Sequence, residues 1–288
     1  MAAKKEGAPA RLRVQKTLKL YVGGAFVRSE SGRTLPVTSS RGEVMHVSQG
    51  SRKDLRDAMR TARKAQGGWA AKTAYNRGQI LYRLAEMLED RASVLPTSEA
   101  DATAAVERAV FHAGWCDKIT ALLSTLNPVQ QAFVNYSMIR PLGVVMAVPD
   151  PKDGLLGLVE ATCDALVMGN SVIVLVPVET AELATSFAEA LATSDVPGGV
   201  VNVITGDLPE LLGAANALED LDAIVAKRDV LGEKLATDVE TKGAHVMRRL
   251  WWTRGAATPA EPWELQKLCE VKTVWMSSGA DITGGAGY

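Results

Sequence analysis

Reactive side chains are scarce in this chain of 288 residues: it has three cysteines and three histidines. His46, His112 and His245 lie far apart, none has a second histidine four residues on, and no two cysteines are paired by spacing. Zinc-type local ligand spacing is therefore absent, and no metal site is expected. An odd, sparse cysteine count suits a reducing compartment. Charge of one sign is also missing: 32 Lys+Arg stand against 33 Asp+Glu, a net charge of -1, which gives no general pull toward nucleic acid. No apolar run approaches the roughly 18 residues of a spanning helix, because Leu166 to Val178 is broken by Gly169, Asn170 and Ser171. The expectation is a soluble, cytoplasmic protein with neither membrane nor nucleic-acid partner. At 47% hydrophobic and 23% charged, its composition is that of a globular chain, not a disordered one.

Residues 1–17 are rich in lysine and arginine and lack the apolar stretch of a secretory signal, so they read as a mobile basic arm. Leu20 to Val27 places strand-like halves around Gly23-Gly24, the pattern of a β-hairpin. A further extended segment covers Thr34 to Val37. Ser51 followed by Asp54 starts a helix with apolar positions Leu55, Ala58, Met59, Ala62 and Ala65 on one face. Helices are predicted from about Tyr75 to Leu95 and from Ser98 to Leu123, forming an N-terminal helical layer. From Gly143 the texture changes to short β-branched runs alternating with helical patterns. The predicted strands are Gly143 to Val148, Ser171 to Val176, Val200 to Ile204, Asp222 to Ala226 and His245 to Leu250. Between the first two lies a helix, Leu155 to Met168, which Gly169 can cap in the left-handed conformation. The fold class is α/β, a doubly wound Rossmann-like parallel sheet whose ligands bind outside the carboxyl ends of the strands. A small-residue and proline stretch after Trp252 reads as a connector, followed by a short helix, Trp263 to Leu268, and a strand, Glu270 to Met276.

Six segments then carry a resemblance: Leu20-Tyr21-Val22-Gly23-Gly24, the helix around Arg77 to Arg91, Ala113-Gly114-Trp115-Cys116-Asp117-Lys118, Arg140-Pro141-Leu142-Gly143-Val144-Val145, Met168-Gly169-Asn170, and Pro197-Gly198-Gly199-Val200-Val201-Asn202-Val203. In this order they resemble the cofactor-binding half of the aldehyde dehydrogenase superfamily, and Glu270 to Trp275 resembles its C-terminal strand. The resemblance implies a cofactor-type domain at 18–250, with protruding antiparallel oligomerisation strands at 127–142. It also implies a connector at 251–263 where the catalytic domain would be inserted, a helix and oligomerisation strand at 264–276, and a disordered tail at 277–288.

The family's chemistry needs an activated cysteine, an oxyanion hole and a dinucleotide cradle. Cys116, Cys163 and Cys269 match no nucleophile position and read as small core residues. The family's Pro-Trp-Asn turn reads Pro149-Asp150-Pro151, so the oxyanion-binding amide is replaced by a residue without a donor. Its Lys-Pro-x-Glu motif reads Val176-Pro177-Val178-Glu179, which keeps the glutamate and loses the lysine. Its Gly-Ser turn beside the pyrophosphate corresponds to Ala226-Lys227-Arg228-Asp229, and its Glu-Leu-Gly-Gly segment is replaced by Arg248-Arg249-Leu250-Trp251-Trp252. The residual cofactor-binding candidates are thus Glu179, Lys227 and Arg228, supporting weak NAD(P) binding at most, with no catalytic residue.

Three readings follow from the resemblance. One is a non-catalytic, regulatory or structural subunit that forms a homo-oligomer or a hetero-oligomer with a complete aldehyde dehydrogenase. Another is a diverged NAD(P)-dependent oxidoreductase that completes its site with a partner chain. A nucleotide-sensing module on Glu179, Lys227 and Arg228 is a third. Trp251 and Trp252 need cover, from the connector or from a partner.

Overall fold

A computed structural model describes residues 14–129, 133–256 and 261–277. Strand β1 (Thr17–Leu18) precedes the hairpin β2 (Leu20–Val22) and β3 (Ala25–Val27), then β4 (Thr34–Thr38) and β5 (Val44–Ser48). Gly23 and Gly24 both have positive φ, 68° and 84°, the two left-handed positions a tight hairpin of this kind requires. Four helices follow: α1 (Arg52–Ala70), α2 (Ala74–Arg91), α3 (Glu99–Trp115) and α4 (Ile119–Leu123). Helix α1 begins with the capping box that Ser51 and Asp54 predict; the Asp54 carboxylate also accepts from the Ser29 hydroxyl at 2.7 Å. The single helix expected over 98–123 is two, because the chain turns at Cys116 to Lys118 before α4.

Strands β6 (Thr125–Asn127) and β7 (Phe133–Pro141) lead into the alternating part: β8 (Val144–Val148), α5 (Gly154–Val167), β9 (Ser171–Val176), α6 (Ala181–Thr193), β10 (Val201–Thr205), α7 (Leu208–Ala215), β11 (Ala223–Ala226), α8 (Arg228–His245) and β12 (Arg249–Trp252). A 3-10 segment, Pro262–Leu268, and β13 (Cys269–Ser277) complete the described chain. The strand expected at His245 to Leu250 lies further on. Helix α8 runs through His245, Met247 turns with φ 52°, and the ladder to β11 begins at Arg249. Trp251 and Trp252 are thereby strand residues and not part of the connector.

The main sheet has the order β12-β11-β8-β9-β10-β2-β3, parallel from β12 to β10, with the hairpin added antiparallel at one edge. Its central strands are buried on both faces, which is why they read as unbroken aliphatic runs. Alternate residues face two cores. Val145, Ala147, Val172 and Val174 pack with α2, α3, α5 and α6, whereas Val144, Met146, Ile173 and Leu175 pack with α1, α7 and α8. Gly169, at φ 86°, ends α5 as its left-handed cap. A second sheet, β1-β5-β4, flanks α6.

Helix α5 is capped from a neighbouring helix, and this sets the height of the site below. The Asp101 carboxylate of α3 accepts from the amides of Leu155 and Leu156 at 2.7 and 3.1 Å and from the Thr97 hydroxyl. Asp101→Ala orphans two N–H groups at a helix start. It is expected to cost about 1–2 kcal/mol and to lower Tm by roughly 2–8 °C in differential scanning calorimetry.

The third sheet, β13-β7-β6, extends from the core into which Cys269 is packed and against which Ile139 lies. Strands β7 and β13 pair antiparallel over their whole length, from Cys269 opposite Pro141 to Ser277 opposite Phe133. One face carries a polar ladder: the Asn127 amide donates to Asn135 and Ser137, and Ser137 bonds Thr273 at 2.9 Å. On that same face Phe133 and Trp275 meet edge to face at 6.2 Å. The other face carries Leu126, Tyr136, Met138, Val274 and Met276 by the register of pairing.

Candidate active site

The chain runs outward from β8 to β9 and β10, then returns to place β11 and β12 on the other side of β8. The strand order therefore reverses between β8 and β11, and the crevice outside their carboxyl ends is where a doubly wound sheet takes its ligand. All three predicted cofactor residues reach this edge of the sheet. Glu179 is exposed in the 3-10 turn after β9, while Lys227 and Arg228 follow β11 and open α8; β8 lies between them.

The two cations are already engaged. Lys227 Nζ donates to Asp150 Oδ2 at 2.9 Å, closing an ion pair across the reversal point. Burial alone would raise the Asp150 carboxyl, but the Lys227 ammonium and the Lys152 amide outweigh it and hold it below the usual carboxylate range. Arg228 is clamped by Glu233 at 2.9 Å and by Glu240, and its guanidinium stacks over the Trp252 ring at 5.5 Å. Trp252 in turn donates to Glu240 at 3.0 Å. Lys227 and Arg228 thus pair within the chain and are not a free phosphate-binding pair.

The segment after β12 lies over the crevice. The Ala256 amide donates to Asp153 Oδ2 at 2.8 Å. Gly255, at φ 93°, comes so close that an added Cβ would sit 2.9 Å from that carboxylate, so only glycine allows this fastening. Together with β11 and Trp251, this segment encloses a cavity of about 50 Å³.

A buried charge network faces the same cavity. Arg108 and His112 come from α3, Glu160 and Asp164 from α5. Arg108 pairs with Glu160 and reaches the Ala256 carbonyl at 3.4 Å. His112, 0% exposed, has Nδ1 2.8 Å from the Arg108 carbonyl and Nε2 2.8 Å from Asp164 Oδ1. Burial opposes a charge on His112, but the hydrogen bond and charge of Asp164 outweigh it and raise the imidazole above its ordinary value. Burial and the nearby Asp164 charge push the Glu160 carboxyl up. No local spacing in the sequence reveals this network. Its only signals are a histidine inside an alanine-rich helix and two acids one turn apart on an apolar one.

The thiols are poorly suited to attack. Cys116, Cys163 and Cys269 are all buried, and burial pushes Cys116 up to about 12 and raises the other two. A thiolate nucleophile needs the opposite shift. Pro151 occupies the turn after Asp150, where the resemblance places an oxyanion-binding amide.

The profile of the aldehyde dehydrogenase family matches residues 26–227. The chain belongs to the aldehyde dehydrogenase family. The cytosolic 10-formyltetrahydrofolate dehydrogenase of Mus musculus is 32% identical over 222 residues, which are 70% of this chain and 24% of that one. Aldehyde dehydrogenase 1A1 of Homo sapiens is 27% identical over 266 residues, 86% of this chain and 52% of that enzyme. The crystal structure of an aldehyde dehydrogenase from Brucella melitensis biovar abortus 2308 superposes with a TM-score of 0.74 at 20% identity, covering 87% of this chain and 52% of that one. Against such aldehyde dehydrogenases the chain spans about half their length, and the fold is the α/β architecture expected from the sequence. Among the described residues no helix is long and apolar enough to cross a membrane.

The Asp150 pair makes a pH dependence. Its native carboxyl binds protons less readily than the unfolded one, so its contribution to stability is complete above the unfolded pKa and is lost as pH falls through the native value. Asp150→Asn is expected to flatten the fall of Tm between about pH 5 and pH 2. A melting curve as steep in the variant as in the parent protein would assign the acid lability elsewhere.

Proposed function

We propose that this aldehyde dehydrogenase family member is a non-catalytic subunit, and that it works by joining its three-stranded sheet to a complete family member. The observation that carries this reading is the sheet β13-β7-β6, whose two outward faces both hold apolar side chains. Phe133, Val271 and Trp275 are exposed on one face, Leu126 and Met276 on the other. A three-stranded sheet gains independent stability by burying at least one face. Backbone pairing at an open strand edge, followed by cover of the apolar strip, is a common way for such a sheet to bind.

Two site features support the non-catalytic part. The Lys227–Asp150 ion pair spans the crevice where a dinucleotide would lie, and the segment around Gly255 is fastened over it. The thiols are buried with raised pKa values.

Co-expression with a complete aldehyde dehydrogenase of the same organism, followed by size-exclusion chromatography, tests association. A single co-eluting peak containing both chains is expected. Calorimetric titration of that complex and of the isolated chain with NAD and NADP separates the readings further. Binding by the isolated chain, abolished by Lys227→Glu, would favour the nucleotide-sensing alternative; NAD-dependent aldehyde oxidation that needs both chains would favour the diverged oxidoreductase.

A further inference from the structure

The buried network beneath the crevice poses a protonation problem. His112 Nδ1 faces a backbone carbonyl, which only accepts, and Nε2 faces the Asp164 carboxyl group, which accepts when ionised, both at 2.8 Å. Nε2 therefore carries a proton, accepts one from the Asp164 carboxyl, or is bound to another electrophile. An Nδ1–H held by a backbone carbonyl is also the arrangement that orients an imidazole to present Nε2 to a metal ion.

Glu160 and Asp164 lie one turn apart on α5 and bring their carboxylates to that same nitrogen. Asp164 Oδ1 is at 2.8 Å and Glu160 Oε2 at 4.0 Å from His112 Nε2, and the three candidate ligand atoms lie within 4.8 Å of one another. Two carboxylates this close in a buried setting repel; Arg108 balances one of them, and a proton on His112 or a bound cation in its place balances the other.

A separate observation comes from β12. Trp251 is 6% exposed, lines the cavity that the network faces, and its indole N–H has no acceptor. A buried N–H without a partner costs about 1–3 kcal/mol, and a species in the cavity that supplies a lone pair would satisfy it. Its volume of about 50 Å³ is sufficient for an ion's water or hydroxide ligands.

We propose that His112, Glu160 and Asp164 form a binding site for a divalent transition-metal ion of the zinc class, with water or hydroxide from the cavity completing its coordination. One imidazole and two carboxylates suit Zn²⁺ or Co²⁺ better than Mg²⁺ or Ca²⁺, which prefer oxygen alone. The ion takes the place of the Nε2 proton and joins α3 to α5. Arg108 stays outside the coordination sphere, holding Glu160 and the Ala256 carbonyl, so the ion also steadies the segment over the crevice.

The test uses the full chain without a histidine tag, stripped with EDTA and dialysed. Titration with Zn²⁺ is expected to show about one equivalent bound and a rise in Tm, with Mg²⁺ giving neither. Co²⁺, as a coloured stand-in, should develop a visible d–d absorption band. Glu160→Gln, on the partly exposed side of the site, should stay folded by circular dichroism and weaken Zn²⁺ binding about tenfold or more. Asp164→Asn and His112→Gln should abolish the Co²⁺ band. Wild-type protein that takes up no Zn²⁺ at ~100 µM overturns the proposal. So does uptake left unchanged in folded Glu160→Gln, since the ion would then sit elsewhere.

Discussion

Replacing Val274 and Met276 together with aspartate is expected to leave the chain folded and monomeric, whether its partner is a second copy or a complete aldehyde dehydrogenase. Both residues sit on β13, opposite Tyr136 and Val134 of β7, on the face that also carries Leu126 and Met138. Neither belongs to the two cores around the main sheet, so the substitution does not touch the packing that holds the domain together. If the sheet docks on a partner, two carboxylates enter a desolvated apolar strip, and the cations of that face, Lys272 and Arg140, lie toward its other end. The dissociation constant should rise by about a hundredfold or more, the range in which loss of central apolar contacts dominates an interface. Light scattering behind size exclusion reads this directly, and unchanged melting of the variant separates lost assembly from lost folding. An assembly that persists at the same concentration would place the interface on another surface.

The largest loss of stability is expected from Trp69→Ala. Trp69 closes the last turn of α1, is 1% exposed, and donates from its indole nitrogen to the Leu166 carbonyl at 3.1 Å. It is the largest fully buried side chain, and it is packed in the core that α2, α3 and α5 share. Truncation leaves a cavity and removes one of the hydrogen bonds to the Leu166 carbonyl, which keeps that of the Gly169 amide. The cost is about 3–5 kcal/mol, or roughly 6–20 °C in Tm. Trp69→Phe keeps most of the ring and loses only the hydrogen bond, so it should recover more than half of the difference. Equal losses in both variants would mean that the hydrogen bond and not the packing dominates.

The parallel strands were legible because burial on both faces leaves an unbroken aliphatic signature. Ser171 to Val176 coincides with β9, and Gly143 to Val148 overshoots β8 by one residue. The capping box at Ser51 and the Gly23-Gly24 hairpin were legible for local reasons, since each depends on neighbours a few residues apart. Trp251 and Trp252 were misplaced because the strand was expected to end at Leu250, which left two bulky aromatics beyond the edge of the sheet as a surface liability. In the structure the β11 ladder pairs them, Trp251 is buried, and Trp252 packs against Arg228 and Glu240.

Of the candidate site, the position of Glu179, Lys227 and Arg228 at the carboxyl edge was legible from the βα alternation. Their engagement was not. Lys227 finds Asp150 from 77 residues away, and His112 finds Asp164 from 52. Such pairs depend on which strand lies next to which and on how α3 packs against α5, and no pattern along the chain records either. Residues 1–13 of the basic arm expected at 1–17, residues 130–132 of the protruding strands, residues 257–260 of the connector and residues 278–288 of the tail expected at 277–288 lie outside the described residues, whereas Thr17 belongs to β1 and Ser277 to β13.

The most direct measurement is the molar mass of the material obtained when this chain is co-expressed with a complete aldehyde dehydrogenase of its own organism, read by light scattering across the size-exclusion profile. A single peak that contains both chains, and that splits when Val274 and Met276 are aspartate, is the predicted result. Two separate peaks for the wild-type chains would contradict it.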